Sequence, residues 1–181
     1  MKKLLILING ESGAGKDTFV EFCKSSLHEQ YSPTIPIANI HRSDEAKAFL
    51  TTLGWDGTRT PKVRKLLADL VEFGEETGHN SIQLYRTVWA FTAGIIFYHS
   101  RDTKAIEEVK RFYYDNNSVA VHTVLVKRDE NCSPEKDRWG IQDYTYDTVI
   151  DNNGELNDLY WQASEFVKQC YNMLEVEYGN N

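Results

Sequence analysis

Gly10, Gly15 and Lys16 have the spacing G-x-x-x-x-G-K, the pattern of a loop that binds polyphosphate. Glycines allow successive backbone N–H groups to point inward at phosphate oxygens. The lysine of such a loop reaches the β- and γ-phosphates, and a following helix adds the partial positive charge of its N-terminus. The sequence therefore predicts a nucleoside triphosphate site formed by Gly10, Ser12, Gly13, Ala14, Gly15, Lys16, Asp17 and Thr18.

The residues on either side of this loop have the patterns of a buried strand and an amphipathic helix. Residues 4–8 are continuously apolar, as expected of a strand buried on both faces. After the loop, Phe19, Phe22, Cys23 and Leu27 recur on one helical face. The alternative is a glycine-rich turn that binds nothing, but it leaves a lysine at the helix N-terminus without a role.

The residue after the lysine departs from the usual pattern. That position is commonly Ser or Thr, whose hydroxyl binds Mg²⁺, whereas here it is Asp17, followed by Thr18. Either Thr18 supplies the hydroxyl ligand or Asp17 holds the metal ion, directly or through water. The sequence leaves both open.

Composition and charge exclude several classes of protein. The 181 residues fit one domain that can bury a core without disulfides or metal. A formal charge of -7 argues against a general nucleic-acid binder, which needs a basic face. No apolar run approaches the roughly 18 residues of a membrane span, and the first residues form a strand pattern rather than a signal peptide. We expect a cytoplasmic protein with no membrane or nucleic-acid partner, either monomer or homodimer.

The cysteines do not indicate a metal or redox site. Cys23, Cys132 and Cys170 are far apart, odd in number and match no ligand spacing. Cys23 and Cys170 lie on apolar helix faces, so we expect both to be buried as small hydrophobic residues.

Strands alternate with helices along the chain. The predicted strands are 4–8, 34–40, 94–99, 119–126 and 146–150. Such alternation favours a parallel sheet with helices on both faces, here an α/β three-layer sandwich of the P-loop NTPase type. We expect a single domain over 1–181, with a helical insertion at about 42–93 and a polar lid at about 127–143. Within the insertion, Ser43 and Thr60 are predicted N-caps, and Pro61 is at a first helical position.

A phosphate-binding loop does not by itself identify the reaction that the triphosphate undergoes. A GTPase switch would need an NKxD element, which is missing, and the one Asp-x-x-Gly is 151–154, near the C-terminus. A mechanical ATPase would couple to a partner or an oligomer, and the sequence has no such element. A small-molecule kinase needs an acceptor site and a lid that excludes water. The helical insertion and the lid segment are candidates for the acceptor site and the lid.

Arginines are concentrated where an acceptor site is expected. They follow a predicted strand, lie in or before the helices of the insertion, or end a strand, and each suits a bidentate grip on phosphate. The alternative for any one of them is a solvated helix face or a structural ion pair. The candidates are Arg42, Arg59, Arg64, Arg86 and Arg101.

Residues 10–18 resemble the loop of nucleoside and deoxynucleoside monophosphate kinases of the adenylate-kinase-like group, where G-K-D-T or G-K-G-T is usual. The likeness extends to 54–70, which is similar to their acceptor-binding insertion, and to 97–108, similar to their third-strand segment. Residues 146–159 are like their closing strand and helix, a pattern shared with dephospho-coenzyme A kinases. The likeness covers nearly the whole chain.

This resemblance implies ATP and Mg²⁺ as cofactors and a small phosphorylated molecule as substrate. It implies that 13–18 hold the ATP phosphates and that Asn152 and Asn153 lie near the base. It implies that four arginines face the acceptor, namely Arg42, Arg64, Arg86 and Arg101. Arg128 and Arg138 would close over the site from the lid.

The predicted reaction is transfer of the γ-phosphoryl group to a (deoxy)nucleoside monophosphate. The second pKa of such an acceptor is about 6, so its attacking oxygen is already ionised and no general base is required. The alternative enzyme transfers to a hydroxyl, as dephospho-coenzyme A kinases do, and would want a carboxylate base such as Asp44 or Asp102. Asp102 also suits an outer Mg²⁺ partner or a helix N-cap. A nucleotide-binding module without turnover is the non-enzyme alternative.

Overall fold

A computed structural model describes residues 3–31, 33–77, 79–91, 94–100, 102–116, 118–129, 141 and 143–175. The contacts divide the chain into two compact units. The first, the sheet unit, comprises Met1–Asn39 and Phe91–Asn181, and the second, the helical unit, is Ile40–Ala90. The bounds of the helical unit nearly match the predicted insertion at 42–93, while the description of the chain as one domain stays a prediction.

The chain contains a five-stranded parallel sheet, as the sequence predicts. In chain order the strands are β1 (Lys3–Asn9), β2 (Ile37–His41), β3 (Gly94–His99), β4 (Val119–Lys127) and β5 (Thr148–Asp151). Their order in the sheet is β2-β3-β1-β4-β5. β1 pairs in parallel with β3 and β4, and β4 pairs in parallel with β5. The phosphate-loop sequence therefore leaves the sheet from its central strand.

The helices of the sheet unit are α1 (Lys16–Gln30), α5 (Thr103–Tyr113) and α6 (Leu156–Glu175). The aromatic rings of Phe19 on α1 and Phe166 on α6 lie 5.6 Å apart in the core. Residues 4–8 of β1 are all at most 1% exposed, which confirms the predicted buried strand. Cys23 and Cys170 are buried as predicted, and burial raises the pKa of both thiols.

The helical unit contains α2 (Asp44–Thr52), α3 (Pro61–Glu76) and α4 (His79–Ala90). Thr60 caps α3 as predicted, because its hydroxyl accepts from the backbone N–H of Val63 at 3.2 Å. Ser43 is the N-cap residue of α2, as predicted, but its side chain makes no capping hydrogen bond. In the first turn of α2, Asp44 Oδ2 accepts from the backbone N–H of His41 at 2.7 Å. No helix among the described residues is long and apolar enough to cross a membrane.

Most of the predicted lid at 127–143 lies outside the described residues. β5 begins at Thr148, two residues later than predicted, and the backbone N–H of Asp147 donates to the hydroxyl of Thr123 at 2.9 Å and not to a backbone carbonyl of β4. Tyr146 accepts from Asn9 Nδ2 at 2.7 Å. Asp147 Oδ2 accepts from the backbone N–H of Thr123 at 2.7 Å and from its hydroxyl at 2.8 Å. These contacts fasten the segment before β5 to β1 and β4.

We predict that Asp147→Asn destabilises the protein near neutral pH and has no effect in strong acid. Partial burial opposes ionisation of Asp147, but the two bonds from Thr123 outweigh it and lower the pKa of the carboxyl. A carboxyl whose pKa is lowered on folding stabilises the native state above its unfolded pKa, and this contribution is lost as the pH falls through the native value. Because Asp147 is largely exposed, we expect a loss of only about 1 kcal/mol at pH 7.

Urea unfolding at pH 7, 5 and 3 measures this difference. Thr123→Val, which removes one of the two donors, should reduce the pH dependence of the wild-type protein. If the difference in free energy of unfolding between wild type and Asp147→Asn stayed the same from pH 7 to pH 3, the stabilising role of the ionised Asp147 would be contradicted.

Candidate phosphate-binding site

The loop between β1 and α1 depends on glycine at its two ends for steric reasons. Gly10 has φ +142°, and a Cβ there would lie 2.3 Å from the carbonyl oxygen of Val126 in β4. Gly15 has φ +91°, and a Cβ there would lie 2.3 Å from Nδ2 of Asn152. Gly13 has φ +82°, but among the described residues no atom lies within 4 Å of its Cβ position. The two ends of the loop are therefore packed against other parts of the fold.

Asn9, the last residue of β1, fixes the entry to the loop. Its side chain is fully buried, and its Oδ1 accepts from the backbone N–H of Gly10 at 2.7 Å. Its Nδ2 donates to the hydroxyl of Tyr146 at 2.7 Å. In the sequence, Asn9 stands out only as the polar residue that ends the apolar run 4–8. An asparagine directly before the first loop glycine was the available signal.

Lys16 lies over the loop, with its ammonium group turned toward the loop backbone. Its Nζ donates to the carbonyl oxygens of Gly10 and Glu11, both at 2.7 Å. α1 begins at Lys16, and the first-turn amides of a helix are not used by the helix's own hydrogen bonds. The ammonium group and the helix N-terminus therefore concentrate positive charge at one loop, which suits a polyphosphate.

The predicted metal ligands offer the oxygen atoms that Mg²⁺ prefers. Asp17 and Thr18 are in the first turn of α1 and are both exposed, and the choice between them stays open. Asp17 Oδ1 lies 3.9 Å from Nε2 of His99, which is 2.8 Å from Asn39 Oδ1. Asp102 is the N-cap of α5, since its Oδ1 accepts from the backbone N–H of Lys104 at 2.9 Å. The N-cap expected for Asp102 is thus confirmed, and its part in metal binding stays a prediction.

Two asparagines that were predicted near the nucleotide base make contacts with the protein itself. Asn152 is buried, and its Nδ2 donates to the carbonyl oxygen of Ala14 at 2.8 Å. Asn153 Oδ1 accepts from the backbone N–H of Asp129 at 2.7 Å, and its Nδ2 donates to Asp129 Oδ2 at 3.1 Å. Asn152 thus supports the phosphate loop, and Asn153 fastens the chain just after β4. Contact of either residue with a base stays a prediction.

The comparisons with known proteins identify the fold. No family model matches the sequence, and no curated protein is significantly similar to it. A mutant of the APS kinase CysC of Mycobacterium tuberculosis is 13% identical, with a TM-score of 0.53, covering 94% of this chain and 98% of its own. A candidate kinase from Chloroflexus aurantiacus is 12% identical, with a TM-score of 0.51, covering 93% of this chain and 98% of its own. The chain therefore shares its α/β fold with these two proteins. At these identities the likeness shows the fold and does not identify an acceptor.

One of the predicted arginines lies beside the loop between β1 and α1. Arg128 is half-buried after β4 and lines a cavity of about 500 Å³ together with Glu11, Lys127, Asp129 and Ile141. The cavity joins the phosphate loop to the start of the predicted lid.

The other arginines divide between the helical unit and positions that the structure does not describe. In the helical unit Arg42 is half-buried, and Arg59, Arg64 and Arg86 are exposed. Arg101 and Arg138 lie outside the described residues. The acceptor and lid roles of all these arginines stay predictions.

Proposed function

We propose that this protein is an ATP-dependent phosphotransferase that moves the γ-phosphoryl group to a small phosphorylated acceptor, first among candidates a (deoxy)nucleoside monophosphate. The observation that carries the proposal is the geometry of the P-loop. Its glycines have positive φ, its first and last glycines are packed against β4 and Asn152, and Lys16 lies against it. The likeness in fold to two kinases supports a phosphotransferase without naming the acceptor.

The protein's contribution to the reaction is positioning and charge neutralisation. Backbone N–H groups of the loop and the N-terminus of α1 would bind the triphosphate. Lys16 would exchange its two carbonyl acceptors for phosphate oxygens, and arginines would hold the acceptor phosphate in line. Asp17 or Thr18 would hold Mg²⁺, which neutralises charge on the transferred group when bound.

The positions of two carboxylates favour a phosphate acceptor over a hydroxyl acceptor. A hydroxyl acceptor needs a base, for which Asp44 and Asp102 were the candidates. Asp44 accepts from the backbone N–H of His41 through Oδ2 and from Lys47 Nζ, at 2.8 Å, through Oδ1. Asp102 caps α5. Both carboxylates therefore have local structural partners, whereas a monophosphate acceptor requires no base because it is already ionised.

The test is Mg²⁺-dependent ADP release from ATP with a panel of acceptors. The panel contains each nucleoside and deoxynucleoside monophosphate, dephospho-coenzyme A, and the APS for which the Mycobacterium kinase is named. A signal with one monophosphate that is lost in Lys16→Ala would establish the reaction and identify the substrate. A signal with a hydroxyl acceptor alone would replace the monophosphate by that acceptor. ATP binding without turnover on any acceptor would leave a nucleotide-binding module.

A further inference from the structure

We propose that Asn152 is a positioning residue of the phosphate loop, which fixes the direction of the Gly15 N–H by holding the Ala14 carbonyl. The inference rests on the proposed triphosphate site. It gives Asn152 a different role from the base contact that the family resemblance implies. It also predicts that Asn152 matters for ligands that have no base at all.

The first step is the hydrogen bond between Asn152 and the loop backbone. Asn152 is 7% exposed, and its Nδ2 donates to the Ala14 carbonyl oxygen at 2.8 Å. The carbonyl of Ala14 and the N–H of Gly15 belong to one planar trans peptide group, in which they point in opposite directions. A carbonyl directed at Asn152 therefore directs the Gly15 N–H to the other side of the peptide.

The second step is the fit between Asn152 and Gly15. Gly15 precedes α1 in a left-handed conformation, and the Cβ that any other residue would carry falls 2.3 Å from Asn152 Nδ2. The amide thus packs against the backbone where a side chain would otherwise be. The glycine of the G-K pair is required here by Asn152 as well as by its φ, and the two residues act as a matched pair.

The third step is the rigidity of the support behind the amide. The backbone N–H of Asn152 donates to the carbonyl oxygen of Lys127, the last residue of β4, at 2.8 Å. Asn152 directly follows β5, and Leu159 of α6 lies 3.9 Å from the Cβ position of Gly15. The backbone of Asn152 is therefore held between the ends of two strands, and α6 packs against Gly15 beside it. A rigid support is what a positioning role needs, because only a fixed donor can select one orientation of the peptide.

The experiment compares inorganic tripolyphosphate with ATP, because only ATP has a base. Dissociation constants of both, with Mg²⁺ present, are measured by calorimetry for wild type, Asn152→Ala and Asn152→Asp. We expect Asn152→Ala to weaken both ligands by the same factor, about tenfold, the usual worth of one hydrogen bond. Asn152→Asp should weaken both further, because it keeps the size of the side chain but places a carboxylate oxygen against the Ala14 carbonyl.

The matched control is Gln162→Ala, which disturbs the same junction without touching the loop. Gln162 Oε1 accepts from the backbone N–H of Asp151 at 2.9 Å, and its Nε2 donates to the Asp151 carbonyl oxygen at 2.6 Å. We expect this variant to lower the melting temperature as Asn152→Ala does, but to leave the affinity for tripolyphosphate unchanged. Equal losses of affinity in both variants would show a merely structural role and overturn the inference.

The remaining outcomes separate this inference from the proposed function. A loss of affinity confined to ATP would overturn the inference in favour of a contact between Asn152 and the base. Wild-type affinity for both ligands in the Asn152 variants would overturn the inference and leave the proposed function standing. A wild-type protein that binds neither ligand would overturn the triphosphate site and the inference together. If both ligands bind in a way that depends on Asn152 but no acceptor is phosphorylated, the inference is sustained and the proposed kinase activity is contradicted.

Discussion

Lys16→Ala is expected to lower kcat for phosphoryl transfer by about 10³-fold while weakening ATP binding much less. The ammonium group of Lys16 lies 2.7 Å from two carbonyl oxygens of the loop, so it is held where β- and γ-phosphates would bind. Charge on the transferring group changes most in the transition state, and a fixed cation there commonly contributes about 10²–10³-fold or more. Steady-state kinetics with the acceptor found in the panel, beside calorimetric ATP binding, separates the two effects.

Lys24→Ala is the matched control for the loss of Lys16. Lys24 is on the same helix and carries the same charge, but its Nζ pairs with Glu21 at 2.6 Å on an exposed face. We expect its kcat to equal that of wild type and its stability to change little, because exposed ion pairs contribute little. A Lys16→Ala enzyme that kept a tenth of the wild-type kcat would contradict the role of Lys16.

Gly10→Ala is expected to cost about 3 kcal/mol of folding free energy, far more than the same change at Gly13. A methyl group at Gly10 must occupy space 2.3 Å from the carbonyl oxygen of Val126, which belongs to the backbone and has no freedom to rotate away. β1 and β4 would have to separate at the point where the loop begins. In a chain of this size the loss corresponds to a fall of roughly 6–12 °C in melting temperature.

Gly13→Ala controls for the backbone conformation alone. Gly13 also has a positive φ, but among the described residues nothing lies within 4 Å of its Cβ position. Only the left-handed strain of roughly 1 kcal/mol should then appear. Urea unfolding of both variants measures the difference between a steric and a conformational need for glycine. Equal losses at the two positions would rule out the close approach to Val126 as the cause.

The sequence was sufficient to predict the local elements because their signals are carried by neighbouring residues. The apolar run at 4–8, the glycines and Lys16 indicate a strand, a loop and a helix, and the structure has each of these elements. Phosphate binding by the loop stays a prediction. Thr60 and Pro61 predicted the start of α3 for the same reason, since a cap is formed within one helical turn. Strand–helix alternation also predicted the parallel sheet, because parallel strands need crossovers.

The contacts that shape the loop could not be predicted, because their partners are distant in the chain. Asn152 and Ala14 are 138 positions apart, and Asn9 and Tyr146 are 137 apart. No spacing rule links such pairs, and the resemblance placed Asn152 near the base instead. At Ser43 the local signal predicted the N-cap position of α2 correctly, although the Ser43 side chain makes no capping hydrogen bond.

The sequence by itself thus determined the strand, the glycine-containing loop and the helix in which the predicted phosphate site lies. Only the tertiary structure decided what holds that loop in shape: β4 against Gly10, Tyr146 on Asn9, and Asn152 on Ala14. The physical reason is the range of the interactions. Backbone conformation and amphipathic period are set within a few residues, whereas a buried hydrogen bond between strands and helices exists only after the sheet has brought its partners together.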